Sequence, residues 1–270
     1  MKYQLRDYQK KASDAAVMYF KMKSGRNGLL VLPTGAGKSL IIADIAARLE
    51  EPLIVFQPNK EILEQNFAKL QTYGIWDCSI YSASVGRKEI SRITFATIGS
   101  VIRHMKDFQH FKNILIDECH LVKPSDGMYK RFFEQAERRI VGLTATPYRL
   151  YSCMNGSMLK FLTRTRPRVF SQVLYYCQVS ELLAKGFLSR LKYYDVTRID
   201  LTKVRRNSSG ADFDDASLSD EFRRVDLYGY LISIVKRLLH PKVGGARKGM
   251  LVFTRFTAEA EMLAREIPDS

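Results

Sequence analysis

Leu32-Pro33-Thr34-Gly35-Ala36-Gly37-Lys38-Ser39 lies between an apolar run, Gly28-Leu29-Leu30-Val31, and a stretch of helical character over 40–49. A buried strand, a glycine-rich loop and a helix N-terminus in that order form a phosphate cradle. Gly35 and Gly37 let the backbone turn so that successive N–H groups point inward at an anion. The helix that begins near Lys38 adds its unpaired N–H groups and the positive end of its dipole. Lys38 can reach the outer phosphates of a nucleotide, and the Ser39 hydroxyl can ligate Mg²⁺. The full pattern has a glycine where this chain has Leu32. The reading therefore rests on the strand–loop–helix setting as much as on the letters.

Short apolar runs recur at 52–56, 79–81, 93–97, 113–116 and 139–143, separated by helical patterns such as 61–70. Runs that are apolar throughout suit strands buried on both faces. Strands alternating with helices predict an α/β fold with a parallel, doubly wound sheet. In such sheets ligands sit beyond the C-terminal strand ends. The polar clusters of this chain fall there: Gln57-Pro58-Asn59, Thr97-Ile98-Gly99-Ser100, Asp117-Glu118-Cys119-His120 and Thr144-Ala145-Thr146.

Each cluster suggests a role. A carboxylate at a strand end facing the loop, Asp117, can hold Mg²⁺, usually through a water. Glu118 beside it can position and deprotonate an attacking water. Phosphoryl transfer asks a protein mainly to position groups and balance charge, so few residues suffice. The hydroxyls of Thr144 and Thr146 can bond to 118–120 or to a neighbouring lobe. Leu5-Arg6-Asp7-Tyr8-Gln9 sets a planar cation and an amide close together, and a glutamine amide can pair with both a donor and an acceptor on an adenine edge. A helix follows within 1–23, with Leu5, Tyr8, Ala12, Ala16, Tyr19 and Phe20 largely on one face.

Composition sets outer bounds. The chain has 270 residues, 46% of them hydrophobic, which allows a sizeable core in one large or two modest domains. No run approaches the length of a membrane span, and no membrane partner is expected. Cys78, Cys119, Cys153 and Cys177 form no C-x-x-C pair. Neither a zinc site nor a disulfide framework is suggested, and a reducing, cytoplasmic setting fits. The net charge is +15, and 160–206 holds eleven Lys or Arg against three Asp or Glu. A basic patch is the electrostatic footprint of a polyanion. After Arg149 the signals thin out. Residues 151–168 read as a connector, 181–185 as a short helix stopped by Gly186 and 188–196 as a strand region. The remainder reads as an exposed loop over 205–219, a helix over 221–239, a strand over 248–255 and its helix over 257–267.

Taken together the segments resemble superfamily 2 helicases of the DEAD/DEAH-box type, with Asp-Glu-Cys-His in the second motif. Residues 5–9 resemble that family's adenine motif, 32–39 its motif I, 56–61 Ia, 97–100 Ib, 117–120 II, 144–146 III and 248–255 IV. The wording of 5–9, 32–39, 117–120 and 142–150 is similar to the RadD-like branch of bacterial DNA-repair helicases. The resemblance is firm over 1–150.

The resemblance implies a first RecA-like lobe over 1–165, a basic connector over 166–186 and the incomplete start of a second lobe over 187–270. It implies an ATP-dependent motor acting in DNA repair, on DNA in preference to RNA, with ATP and Mg²⁺ as cofactors. Thr34, Gly35, Ala36, Gly37 and Lys38 would grip phosphates, Ser39 and Asp117 would hold Mg²⁺, and Glu118 would activate water. Arg6 and Gln9 would select adenine, and His120, Thr144 and Thr146 would couple hydrolysis to lobe movement. Gln57, Asn59, Thr97, Ser100 and Arg255 would meet the nucleic-acid backbone. The family's motifs V and VI, the latter with an arginine finger, would follow Ser270, so weak turnover and no unwinding are expected of residues 1–270 alone. A nucleotide kinase shares the loop but has no need of the Asp-Glu-x-His and Thr-Ala-Thr segments. An ATP-gated nucleic-acid clamp and the motor subunit of a restriction system use the same motifs as a helicase, and the sequence does not separate them.

Overall fold

A computed structural model describes residues 4–22, 25–153, 156–191, 199–208, 210, 212–242 and 249–267. The chain divides into two compact units, Met1–Cys153 with Ser157–Leu191, and Met154–Gly156 with Lys192–Ser270. The first opens with α1 (Asp7–Lys21), β1 (Gly28–Val31), α2 (Lys38–Arg48), β2 (Leu53–Phe56) and α3 (Lys60–Gln71). It continues with β3 (Cys78–Ser82), β4 (Arg87–Lys88), β5 (Ile93–Ala96), α4 (Ile98–Val101), β6 (Asn113–Ile116), α5 (Met128–Phe133) and β7 (Arg139–Thr144). Then come β8 (Tyr148–Cys153), β9 (Gly156–Phe161), β10 (Gln172–Tyr176) and α6 (Val179–Ala184).

Eight strands form one sheet in the order β10-β1-β7-β6-β2-β5-β3-β4. Every pairing is parallel except that of the short edge strand β4 with β3. The apolar runs feed both faces by strand alternation. Leu30, Leu53, Val55 and Leu115 enter one core with Tyr8, Ala12, Phe20, Ile41 and Phe67. Leu29, Ile54, Phe56, Ile114 and Ile116 enter the other with Phe108, Phe111 and Phe132. Covering both faces in this way is what an all-apolar strand requires. β1 sits between β7 and β10, so the loop that follows it leaves from inside the sheet. Gly142 on β7 lies so close to the loop after β6 that a Cβ there would fall 2.6 Å from Cys119 Sγ and 2.8 Å from Phe170 Cε1. Parallel pairing of β6 with β7 sets the ends that carry Asp117 and Thr144 side by side, and the glycine leaves room there for Cys119 and Phe170.

Several expectations change. Residues 166–186 are not a plain connector: they supply β10, a parallel edge strand on β1, and α6. The stretch 151–168 was expected to be a connector, yet β8 and β9 pair as a separate two-stranded ribbon. In the second unit, α7 (Asp215–Arg224) starts inside the stretch expected as a loop, because the Asp214 carboxylate accepts from the Ser217 N–H and caps it. One helix was expected over 221–239. The structure has two, α7 and α8 (Leu227–Leu239), broken where Asp226 takes a left-handed conformation at φ 47° and caps α8. The helix expected over 257–267 is α9 (Thr257–Glu266). The strand expected over 248–255 is irregular across 249–254, and 243–248 lies outside the described residues. A strand needs a hydrogen-bonded neighbour, and among the described residues of this unit none is paired with that segment. Most of the 188–196 region also lies outside the described residues, and 188–191 is not a strand.

Candidate active site

The phosphate loop is held from below by α1. The Tyr8 hydroxyl and the Gln9 Nε2 amide both donate to the Ala36 carbonyl, each at 2.9 Å. Gln9 Oε1 accepts from the Arg6 N–H at 2.9 Å, closing the first turn of α1. Each such bond contributes roughly 1 kcal/mol, so two on one carbonyl fix the loop's height over the sheet. Gly35 and Gly37 take φ of 80° and 77°. A Cβ at Gly37 would lie 2.5 Å from Gln9 Nε2, so a side chain would both strain the turn and push out its brace. The loop runs into α2, whose N-cap is Gly37, and the first N–H groups of that helix are left without intrahelical acceptors.

Across from the loop, Asp117 and Glu118 leave the end of β6. Lys38 Nζ is 2.8 Å from Glu118 Oε1. The other Glu118 oxygen lies 3.3 Å from His120 Nδ1, and that nitrogen lies 3.1 Å from Thr144 Oγ1. Thr144 Oγ1 accepts from the Thr146 N–H at 3.0 Å. With a proton on Nδ1, His120 donates to the carboxylate; with Nδ1 bare, it accepts from the Thr144 hydroxyl. Glu118 itself sits at φ 46°, ψ 47°, a left-handed conformation that costs a side-chain-bearing residue of order 1–3 kcal/mol. Its N–H donates to Asp117 Oδ1 at 3.0 Å, which helps to hold that turn.

Asp117 is buried, and burial together with the Glu118 charge raises its carboxyl above the usual range. Lys38, the Glu118 N–H and Asn66 pull the other way. Asn66, on α3, was not singled out in the sequence. Its Nδ2 donates to Asp117 Oδ2 at 3.1 Å and to Gln57 Oε1 at 3.0 Å. A polar residue on the buried face of an otherwise amphipathic helix was the available signal. Phe187 was also missed. Its ring lies 4.1 Å from the Arg6 guanidinium carbon and 5.8 Å from the Tyr8 ring, beside the phosphate loop.

The remaining expected residues divide. Gln9 is 4% exposed, and each end of its amide holds a backbone group of the loop or of α1. Arg6 is exposed and stacked on Phe187. Thr34 is exposed at the loop's outer face, and Ser39 is half-buried in the first turn of α2. Gln57 is 1% exposed, its Oε1 accepts from Asn66, and it lines the same cleft as Thr97. Ser100 is buried and its Oγ accepts from the Ala83 N–H. Asn59 is exposed, where its side chain caps α3. Thr97 is half-buried on a cleft of about 470 Å³ shared with Pro58, Asp117, Glu118, Met128 and Tyr129. Arg255 belongs to the second unit, where its guanidinium bonds Asp212 at 3.1 Å and Asp215 at 2.9 Å.

Residues 2–149 match the family model described as type III restriction enzyme, res subunit. The chain belongs to this family. Its relatives place it among the superfamily 2 helicases. It is 30% identical over 151 residues to the DNA 3'-5' translocase XPB2 of Sulfurisphaera tokodaii, covering 55% of this chain and 32% of that protein. It is 29% identical over 154 residues to the DNA 3'-5' helicase XPB of Mycobacterium tuberculosis, covering 53% of this chain and 27% of that one. The match thus spans about a third or less of these relatives' lengths. Among solved structures it is similar to a nuclease-deletion mutant of the type ISP restriction-modification enzyme LlaGI in complex with a DNA substrate mimic. That likeness has a TM-score of 0.51 at 15% identity, over 68% of this chain and 18% of the other, and it bears on the fold alone. Among the described residues no helix is long and apolar enough to cross a membrane.

Proposed function

We propose that this chain carries the ATPase lobe of a DNA translocase or helicase. The observation that carries the reading is the run of close approaches from Lys38 to Glu118, His120 and Thr144, in which His120 Nδ1 faces both the carboxylate and the hydroxyl; it brings three expected motifs together within 2.8–3.3 Å. A kinase needs the phosphate loop but has no use for a link from the carboxylate to a hydroxyl on the next strand end. The second unit, in this reading, begins the partner lobe, and the work belongs to DNA repair. The family description also supports a motor subunit of a restriction enzyme, which would run the same chemistry.

The residues fit a Mg²⁺-nucleotide. Gly35 and Gly37 add no side chain of their own to the cradle and hold its left-handed turns. Ser39 and Asp117 offer hard oxygen donors of the kind Mg²⁺ takes alongside phosphates. The bound ion would offset charge on the transferred phosphoryl group. Lys38 would turn from Glu118 to the outer phosphates, freeing that carboxylate to take a proton from water. Arg6 on Phe187 would offer a planar surface to the base, with Gln9 bracing the loop beneath. Asn59 and Thr97 would meet the sugar-phosphate backbone, where contacts position a strand without reading its sequence.

The test uses the full-length natural protein. ATP turnover should rise on adding DNA, with the stimulation falling steeply as salt increases, because phosphate contacts release counterions. Turnover indifferent to DNA at low salt would remove the motor reading. A nuclease product in the same assay would favour the restriction enzyme.

Asn66 supplies a sharper expectation. Asn66→Ala takes a donor from Asp117 and leaves its carboxyl to burial and to the Glu118 charge, both of which favour the protonated form. The Mg²⁺ concentration for half-maximal turnover should rise roughly tenfold or more, as with other groups that orient a metal ligand. A Mg²⁺ titration that overlays the parent's would show that Asp117 is held without Asn66.

A further inference from the structure

The ribbon of β8 and β9 leaves the phosphate site directly after Thr146-Pro147 and turns an apolar face outward. Strand alternation puts Tyr148 and Leu150 on one face of β8, and Leu159 and Phe161 on one face of β9. The Tyr148 and Phe161 rings meet at 6.3 Å and 75°, so the two pairs share that face. Their exposures are 38%, 65%, 57% and 54% in chain order, high for four large apolar side chains side by side. Lys160, on the other face of β9, has its Nζ 5.0 Å from the Tyr151 ring centre. Arg164, Arg166 and Arg168 follow at once, all exposed. Residues 148–180 contain five Lys or Arg and no Asp or Glu.

The ribbon is fixed at its root. The Leu162 N–H donates to the Pro147 carbonyl at 2.8 Å, closing its base. The Arg149 guanidinium donates to the carbonyl of Val122, two residues beyond His120. Both anchors lie next to the path from Glu118 to Thr144.

We propose that this ribbon is a wedge. Tyr148, Leu150, Leu159 and Phe161 press on the bases of DNA where single strand meets duplex, while Lys160, Arg164, Arg166 and Arg168 take the adjoining phosphates. The proposal rests on the reading of the chain as a DNA motor. Charge decides the occupant: an acid-free, arginine-rich flank complements a polyanion. Size agrees, since four side chains fall far short of the 20–30 residues a side that a stable protein interface uses. They do match the apolar wedges that proteins insert between base steps, unstacking them. Aromatic rings among them can stack on any base, so the contact carries no sequence preference. Its anchors let a change at Glu118 and His120 move the wedge against the junction.

The experiment uses the full-length protein and a forked DNA carrying 2-aminopurine at its first base pair. The parent should brighten the probe on binding, because unstacking relieves quenching. Leu150→Ser with Phe161→Ser should abolish that rise and cut the preference for fork over blunt duplex roughly tenfold. Both positions are exposed, and an unchanged melting temperature without DNA shows that the fold is intact. Arg164→Ser with Arg166→Ser should weaken fork and duplex alike and lower the salt dependence. If the Leu150/Phe161 variant brightens the probe as the parent does, the ribbon is not a wedge, although the motor reading stands. If the variant loses only self-association on gel filtration, the face joins two copies and the proposal is overturned. If the parent binds no DNA, the motor reading fails and the wedge with it.

Discussion

Glu118→Gln should lower ATP turnover by roughly 10²–10⁴-fold, the range that a positioned general base contributes, while ATP still binds. The substitution keeps the side chain's length and shape. It also keeps hydrogen-bonding capacity toward His120, 3.3 Å away. What it removes is the capacity to take a proton and the charge that faces Lys38 at 2.8 Å. Binding should hold or tighten, because Lys38 no longer leaves a carboxylate partner to meet the phosphates. Steady-state phosphate release and a fluorescent ATP analogue measure the two effects separately. Turnover within threefold of the parent would show that another group activates water. Loss of binding in step with turnover would instead make Glu118 a support for the loop. His120→Ala on the same background should add little in DNA-free turnover, since it acts through the carboxylate already removed.

The two kinds of residue in this site were not equally legible. The glycine turn, the strand-end carboxylates and the paired threonines could be read because backbone geometry dictates them: the loop must turn, and strand ends must point at it. The parallel sheet followed from the same runs, since Leu53–Phe56 and, after Asn113, the run Ile114, Leu115 and Ile116 have no polar face to offer to water. Gln9, Gln57 and Asn66 were not legible as the structure uses them. An amide in a sequence looks like a reader of bases or backbones, and only packing reveals that Gln9 bonds Ala36, that Asn66 bonds Asp117 and that Gln57 accepts from Asn66. The ribbon of β8 and β9 was passed over because a two-stranded sheet exposed on both faces need not alternate polar with apolar. β10 was missed for a related reason: as an edge strand its burial is partial, and its run Gln172–Tyr176 carries no all-apolar signature. In the second unit, Asp226 split a continuous helical pattern through one left-handed residue, which hydrophobic periodicity does not report.

Lys38→Ala should cost more than the charge it deletes. Its ammonium is the group expected to meet the outer phosphates, and losing one charge-stabilising donor at a reacting centre costs roughly 10²–10³-fold in rate. The variant also leaves Glu118 without its cation. That carboxylate lies next to buried Asp117, whose own ionisation the Glu118 charge opposes and the Lys38 charge supports. With the lysine gone, both carboxylates face each other uncompensated, and a phosphate chain approaching them meets net repulsion. Nucleotide affinity should therefore fall together with rate, unlike the split expected for Glu118→Gln. Lys38→Arg should not restore function, because a planar fork differs from a compact ammonium in reach and geometry. The decisive comparison is the double variant, Lys38→Ala with Glu118→Gln. Removing the carboxylate's charge should recover part of the lost nucleotide affinity, and none of the turnover. If the double variant binds ATP as weakly as Lys38→Ala alone, the lysine acts only on the phosphates and its ion pair with Glu118 has no part in preparing the site.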